Sequence, residues 1–360
     1  MGRLSGQRVP LDRDPLTSRV KRLSRREVLA GLGLSLLCAQ RRSGAATEPV
    51  LIIDSHVHFP RAPGGELDGF DAAAALRELD HFGIAKAILS PPPHPRSTRR
   101  VHLADLRAAV RREARLAFAA GGESLNPILQ ATPAASVSTH VLREFTAIAE
   151  EIAAAGAASF GELAAEHFSS GRGRHPYESS PPDHPLLLAL ADIAARRGMP
   201  IDLHMEAVPQ DMAFPPERRQ GPNPDRLTAN IARLERLLDH NREARIVWLH
   251  AGWDLTGERT VALMRGLLER HANLAMSIKY DRGGVGQSAP FLPRGGELRP
   301  GWIAMLREYP DRFMIGSDQF LGDDTERLEG ARRLVDALPP DLKLRIASDN
   351  AKRIYRLDTG

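Results

Sequence analysis

From Pro49 onward, short apolar runs alternate with stretches of helical periodicity, and this alternation restricts the fold more than any other feature of the chain. Repeated strand-then-helix units are the pattern of parallel strands joined by crossover helices. Strands are expected at Val50–Ile53, Ile84–Leu89, Leu116–Ala120, Ala157–Phe160, Pro200–Leu203, Arg245–Leu249, Leu274–Ile278 and Phe313–Ile315. Helices are expected at Phe70–His81, Leu103–Arg115, Val141–Ala155, Pro185–Arg197, Leu227–Asp239, Glu258–Arg270, Glu326–Ala337 and Asp341–Tyr355. Gly198 supplies a C-terminal stop for the fourth of these. Eight such units over roughly 310 residues are the size of a barrel with long loops. The expectation is an α/β protein, a single-domain (β/α)8 TIM barrel over residues 46–360.

The first 45 residues differ. Arg19, Lys21, Arg22, Arg25 and Arg26 precede an apolar stretch, Val28 to Cys38, that is too short to span a bilayer. Ser24 to Leu29 resembles a twin-arginine export signal, with Gly31 and Gly33 keeping the following segment mildly apolar. Ser43, Gly44 and Ala45 offer small residues for cleavage, so the mature chain is expected to begin at Ala46. The implied partner is the twin-arginine export machinery and the implied location the periplasm, with no membrane segment in the mature form. Of 49 basic and 45 acidic residues, ten and three lie in this segment, which leaves 39 against 42. The positive charge of the whole chain is therefore a property of its leader and gives no nucleic-acid footprint. Cys38 is the single cysteine, so the mature chain has neither disulfides nor thiolate chemistry.

Polar residues that can bind a metal or carry protons recur at strand ends. In Leu51-Ile52-Ile53-Asp54-Ser55-His56-Val57-His58, the two histidines are two apart and project to one face of an extended chain. Two imidazoles side by side suit a borderline divalent cation. The fifth strand ends in His204, the sixth in His250, and the eighth in Gly316-Ser317-Asp318. These are the ends at which barrel enzymes carry their catalytic groups. Gly161-Glu162 ends the fourth strand, and Glu206 lies two residues beyond His204. Lys279 and Arg282 follow the seventh strand and could anchor a substrate carboxylate, though solvated loop positions are the favoured reading, and Trp253, after His250, reads equally as a pocket wall or a packed aromatic. His94, His167, His175 and His184 read as loop histidines, and Asn350 as a tether for the last helix.

His-x-His on strand one, His on strands five and six and Asp on strand eight resemble the amidohydrolase superfamily. Asp54, His250-Ala251-Gly252 and the closing Asn350 to Tyr355 are similar to its decarboxylase-related branch, which includes aminocarboxymuconate-semialdehyde decarboxylase and related lactone hydrolases. The resemblance implies that His56, His58, His204 and Asp318 hold one divalent metal, with zinc the default for an imidazole-rich site and manganese or iron as alternatives. It implies that His250 bonds to the activated water or the substrate oxygen and that Asp318 also carries its proton. No lysine occurs between Ala153 and Pro185, where a binuclear subset of the superfamily has a carboxylated one. Glu162 is instead a candidate bridging ligand for a second metal, or, with Glu206, a substrate contact.

Two reactions fit the same residues. One is hydrolysis of a C–O or C–N bond of a small-molecule lactone, ester or amide; the other is non-oxidative decarboxylation of an unsaturated or aromatic acid. Export favours hydrolysis. A non-catalytic binding barrel is the reading from another class, and His250 beside a full ligand set argues against it.

Overall fold

Eight parallel strands curl into a ring in this computed structural model, which describes residues 50–60, 70–93, 102–169, 176–216, 221–280, 288–292 and 296–357. They are β1 (Ile52–His58), β2 (Ile84–Ser90), β3 (Leu116–Gly121), β4 (Ser159–His167), β5 (Ile201–Met205), β6 (Ile246–Ala251), β7 (Leu274–Ile278) and β8 (Phe313–Ile315). Each pairs in parallel with the next. The segment that follows β8 closes the circle. Gly316 donates its N–H to the Ile278 carbonyl of β7, and Asp318 donates its own to the His56 carbonyl of β1 at 2.8 Å. Gln319–Phe320 then pairs with Val57 and His58. The described residues all fall in the compact unit Pro49–Gly360. The proposed leader, its cleavage point, His94, His175 and Arg282 lie outside the described residues.

Helices return the chain between strands: α1 (Ala72–His81), α2 (Leu103–Val110), α3 (Leu125–Ala131), α4 (Thr139–Ala154), α5 (Pro185–Arg197), α6 (Ile231–His240), α7 (Val261–Arg270), α8 (Pro300–Glu308), α9 (Glu326–Ala337), α10 (Pro340–Leu344) and α11 (Asn350–Tyr355). Their starts are chemical. Asp71, Ser138 and Thr260 accept the orphan N–H groups of α1, α4 and α7. Gly198 stops α5 in the left-handed conformation, φ 65°. Sequence periodicity does not show α3 or α8. The first is short and contains Pro127, and the second opens on Pro300-Gly301, a pair that reads as a turn although proline suits a first helical position. The expected last helix is divided: α10, a π-helical turn at Arg345–Asp349, then α11. Among the described residues no helix is long and apolar enough to cross a membrane.

Two apolar layers hold the ring. The larger lies between strands and helices and joins Val57, Phe118, Phe160, Leu203 and Trp248 to helical residues such as Leu79, Phe145, Leu190 and Leu237. The smaller fills the ring's interior, where Ile53, Ile88, Ala119, Val247, Leu249, Ala275 and Met314 meet Ala351, Ile354 and Tyr355 of α11. Several interior positions are alanine, so α11 can pack against them. Tyr355 reaches in far enough to donate to Asp202 Oδ1 at 2.7 Å, while the Ser159 hydroxyl donates to Oδ2 at 2.6 Å. Asn350 ties this helix to the start of β8 through the carbonyls of Pro310 and Phe313. One end of the barrel is thereby plugged, and the polar strand ends gather at the other.

Candidate metal centre

Glu162, on β4, is the hub of that polar end. Its Oε2 lies 3.5 Å from His56 Nε2 and 3.4 Å from His58 Nε2. Its Oε1 lies 2.7 Å from His204 Nδ1 and 3.2 Å from His250 Nε2. One carboxylate therefore stands between two imidazole pairs. β1 supplies the first pair, and β5 with β6 supplies the second. Asp318 approaches the β1 side, with Oδ1 2.9 Å from His58 Nε2 and 3.6 Å from His56 Nε2.

His58 is fixed by its outer nitrogen, and His56 and His250 by the rings packed around them. His58 Nδ1–H donates to the Ser90 carbonyl at 2.9 Å, which directs Nε2 to the centre, and the ring stacks on Phe320 at 4.3 Å. The rings of His56 and His250 are 5.2 Å apart, and those of His204 and His250 4.7 Å. Gly316 makes this approach sterically feasible. A Cβ there would fall 2.9 Å from Ser277 Cβ and 3.2 Å from His56 Cβ.

A metal fits the donor set on one observation in particular. Both ring nitrogens of His56 and both of His250 are buried without a hydrogen-bond partner. Buried polar atoms are rarely left so, and Nε2 of each ring stands 3.2–3.6 Å from a carboxylate oxygen without forming a hydrogen bond to it. Three groups have donor atoms within 4.8 Å of one another: His56, His58 and Glu162; Glu162, His204 and His250; and His56, His250 and Asp318. Neutral imidazoles with carboxylates are the ligands of zinc, manganese or iron. His204 thus groups with Glu162 and His250, and His250 groups in turn with His56 and Asp318.

Electrostatics follow from burial and charge. Burial opposes ionisation of Glu162, but His56 and His204 overcome it and hold the carboxyl well below its usual range. Burial likewise opposes a charge on Asp318, and Arg327 and Lys279 outweigh it. Burial pulls His56 and His204 down, yet the facing carboxylates raise them to about 10 and about 9. His250 goes the other way: burial, with repulsion from His204 and Lys279, keeps it neutral.

Around the centre the structure gathers Lys279, Trp253, Glu206 and His167, which the sequence offers as candidates or loop residues, and adds Arg327, which it does not. Lys279, buried, is 2.6 Å from Asp318 Oδ2 and 3.5 Å above the Trp253 ring. Arg327 of α9 is 2.8 Å from the same oxygen and also donates to the Asp318 carbonyl. Glu206 accepts the Leu255 N–H at 2.8 Å and lies 3.8 Å from His204 Nε2, so it ties the loop after β6 to the site. His167 sits on β4 rather than in a loop, its ring 4.2 Å from that of His204 and its Nδ1 2.9 Å from Glu178 Oε2. His184 caps α5, away from the centre. No periodic signal marks Arg327, which lies nine residues after Asp318 on a helix.

No protein-family model matches the chain, and a search of curated proteins finds no match. Among solved structures it is similar to a protein of Agrobacterium tumefaciens, at 16% identity and TM-score 0.47, with 86% of this chain and 97% of that one covered. It is also similar to an amidohydrolase 2 from Bifidobacterium longum subsp. infantis, at 13% identity and TM-score 0.45, covering 86% and 100%. A dihydropyrimidinase from Brevibacillus agri is similar at 12% identity and TM-score 0.46, covering 86% and 71%.

Proposed function

We propose that this chain is a metal-dependent hydrolase that cleaves a C–O or C–N bond, in a lactone, ester or amide, of a small molecule. The observation that carries the reading is the Glu162 carboxylate between two imidazole pairs, with the lone pairs of His56 and His250 otherwise unpartnered. We assign two ligand subsets that share Glu162: His56 and His58 on one side, His204 and His250 on the other, with Asp318 beside the first. Zinc is the metal we expect.

A divalent cation bound there supplies Lewis-acid activation of a water molecule and of the scissile carbonyl. The chain's own residues do the rest. Asp318 points Oδ1 at the centre, beside His58 Nε2, while Lys279 and Arg327 occupy Oδ2, so the carboxylate stays ionised and its other oxygen is aimed. That oxygen takes a proton from the attacking water and passes it to the leaving group. His250, neutral, keeps a lone pair toward the centre. Lys279 and Arg327 are both engaged by Asp318 rather than presented to the carboxylate of an incoming acid, which favours hydrolysis over decarboxylation. Export through the twin-arginine route to the periplasm, directed by residues 1–45, belongs to the same proposal.

The test is metal analysis of the purified protein joined to a substrate panel of lactones, esters, amides and unsaturated acids. Acid release that a chelator abolishes and zinc restores is the expected result. Carbon dioxide release instead would replace hydrolysis with decarboxylation, and a protein that takes up no divalent metal would end the reading.

A further inference from the structure

The end of β6 departs from a regular ladder. Val247 and Leu249 face the ring's interior, and Trp248 faces the outer layer. Side chains alternate along a strand, so residue 250 should also face outward. Instead the register with β7 slips. Trp248 stands opposite Met276 and Ala251 opposite Ile278, which leaves Leu249 and His250 facing Ser277 alone. Two residues against one is a β-bulge, and bulges re-aim side chains. His250 takes φ 65°, a left-handed conformation, and its ring turns into the centre.

Arg259 lies on this irregularity. It comes from the loop before α7 and is 2% exposed. One guanidinium nitrogen, Nη1, donates to the Leu249 carbonyl, and Nη2 donates to the Trp248 carbonyl at 3.0 Å. The guanidinium also lies 3.8 Å over the Trp248 ring. That ring's Nε1–H donates at 2.8 Å to the carbonyl of Met205, the residue after His204. The Arg259 N–H is itself held by Asp254 Oδ2 at 2.9 Å. Burying a guanidinium costs free energy that an apolar filler would not incur. What the arginine offers in return is a rigid fork whose two arms fit adjacent carbonyls.

We infer that Arg259 is a positioning residue. It clamps the bulge that turns His250 toward Glu162 and, through Trp248, links the strand ends that carry His250 and His204. The expectation for metal rests on the proposed function, whereas the clamp itself does not.

The experiment uses the full chain, stripped of metal and titrated with Zn2+, as wild type, Arg259→Met and Arg259→Lys. Amide hydrogen exchange across residues 247–252 is followed in parallel. In the Met variant, exchange should quicken at the bulge and not across the barrel. Zn2+ affinity of the Glu162–His204–His250 subset should fall about 10–100-fold, the range seen when a group supporting a ligand is lost. The His56–His58–Glu162 subset should keep its affinity. Lysine keeps the charge but not the fork, so Arg259→Lys should fall between the two, and it serves alone if the Met variant does not fold. Wild-type exchange and affinity in the lysine variant, or exchange that quickens uniformly, would overturn the inference. A wild-type chain that takes up no Zn2+ would refute the proposed function, while the exchange arm would still decide the role of Arg259.

Discussion

Replacing Glu162 by glutamine keeps the shape of the hub and removes its charge. In the metal-free chain His56 and His204 have pKa values of about 10 and about 9, because burial is outweighed by Glu162 with Asp318 for the first and by Glu162 with Glu206 for the second. Both values lie above the ordinary 6.5. The stability these imidazoles contribute is therefore complete below about pH 6.5 and is lost as pH rises through about 9 to 10. Metal reverses the slope, since it binds the deprotonated rings. At about pH 8, zinc uptake by the wild-type chain should displace about two protons, one from each of these imidazoles. Deleting one partner of a buried charge pair costs about 3–5 kcal/mol. At about 1.4 kcal/mol per tenfold, Glu162→Gln should weaken zinc binding by about 10²- to 10⁴-fold and reduce the proton release. Calorimetric titration in buffers of different ionisation enthalpy measures both. A variant with wild-type affinity and wild-type proton release would refute the argument that this carboxylate organises the centre.

Two further substitutions test the support of the site. Gly316→Ala places a methyl against Ser277 and His56, so the His56–His58–Glu162 subset should lose affinity by about 10–100-fold in zinc titration, with the other subset spared. Tyr355→Phe removes a hydrogen bond to the buried Asp202 carboxyl, whose pKa burial pushes up to about 6 although Ser159 and Tyr355 pull it down. Urea unfolding should show a loss of about 1–3 kcal/mol, larger near pH 7 than near pH 4, because the lost donor stabilises the ionised form.

The barrel was legible because strand and helix periods alternate eight times, and that pattern survives errors at every boundary. The strands Leu274–Ile278 and Phe313–Ile315 and the helices Pro185–Arg197 and Glu326–Ala337 match the expected ranges, the strands being apolar runs and the helices periodic and cleanly bounded. β1 and β4 run further than their apolar residues indicate, to His58 and His167, because the functional ends are polar and read as loop. The same polarity makes the histidines and Asp318 easy to single out. It does not say which of them stand together. His204 lies four staves from His56 around the ring, and a carboxylate from the strand before it occupies the space between. Strand-end spacing assigns residues to the rim; only closure of the ring assigns them to sides of Glu162. Arg327 and Arg259 carry no sequence mark, because each reaches back nine to eleven residues to backbone carbonyls at the end of the preceding strand or just after it, a contact that no residue pattern encodes.

What the strand period misses is informative in its own right. β1 shifts register between Asp54 and Val57, β4 between Phe160 and Leu163, and β6 opposite Met276 and Ile278. Each shift lies between a lower half that packs and an upper residue that faces the centre: His56, Glu162 and His250. His250 and Asp318 in addition hold φ near 65° and 61°, a region non-glycine residues rarely adopt. Such conformations cost on the order of 1–3 kcal/mol each and persist only where surrounding contacts over-determine them. Here those contacts are visible: Arg259 beneath His250, and Lys279 and Arg327 around Asp318. Regular alternation would send these groups into the apolar layer behind the sheet. The irregularities are therefore the structural step that converts a generic barrel into one with a concentrated ring of imidazole and carboxylate, and the residues that clamp them belong to the site as much as the ligands do.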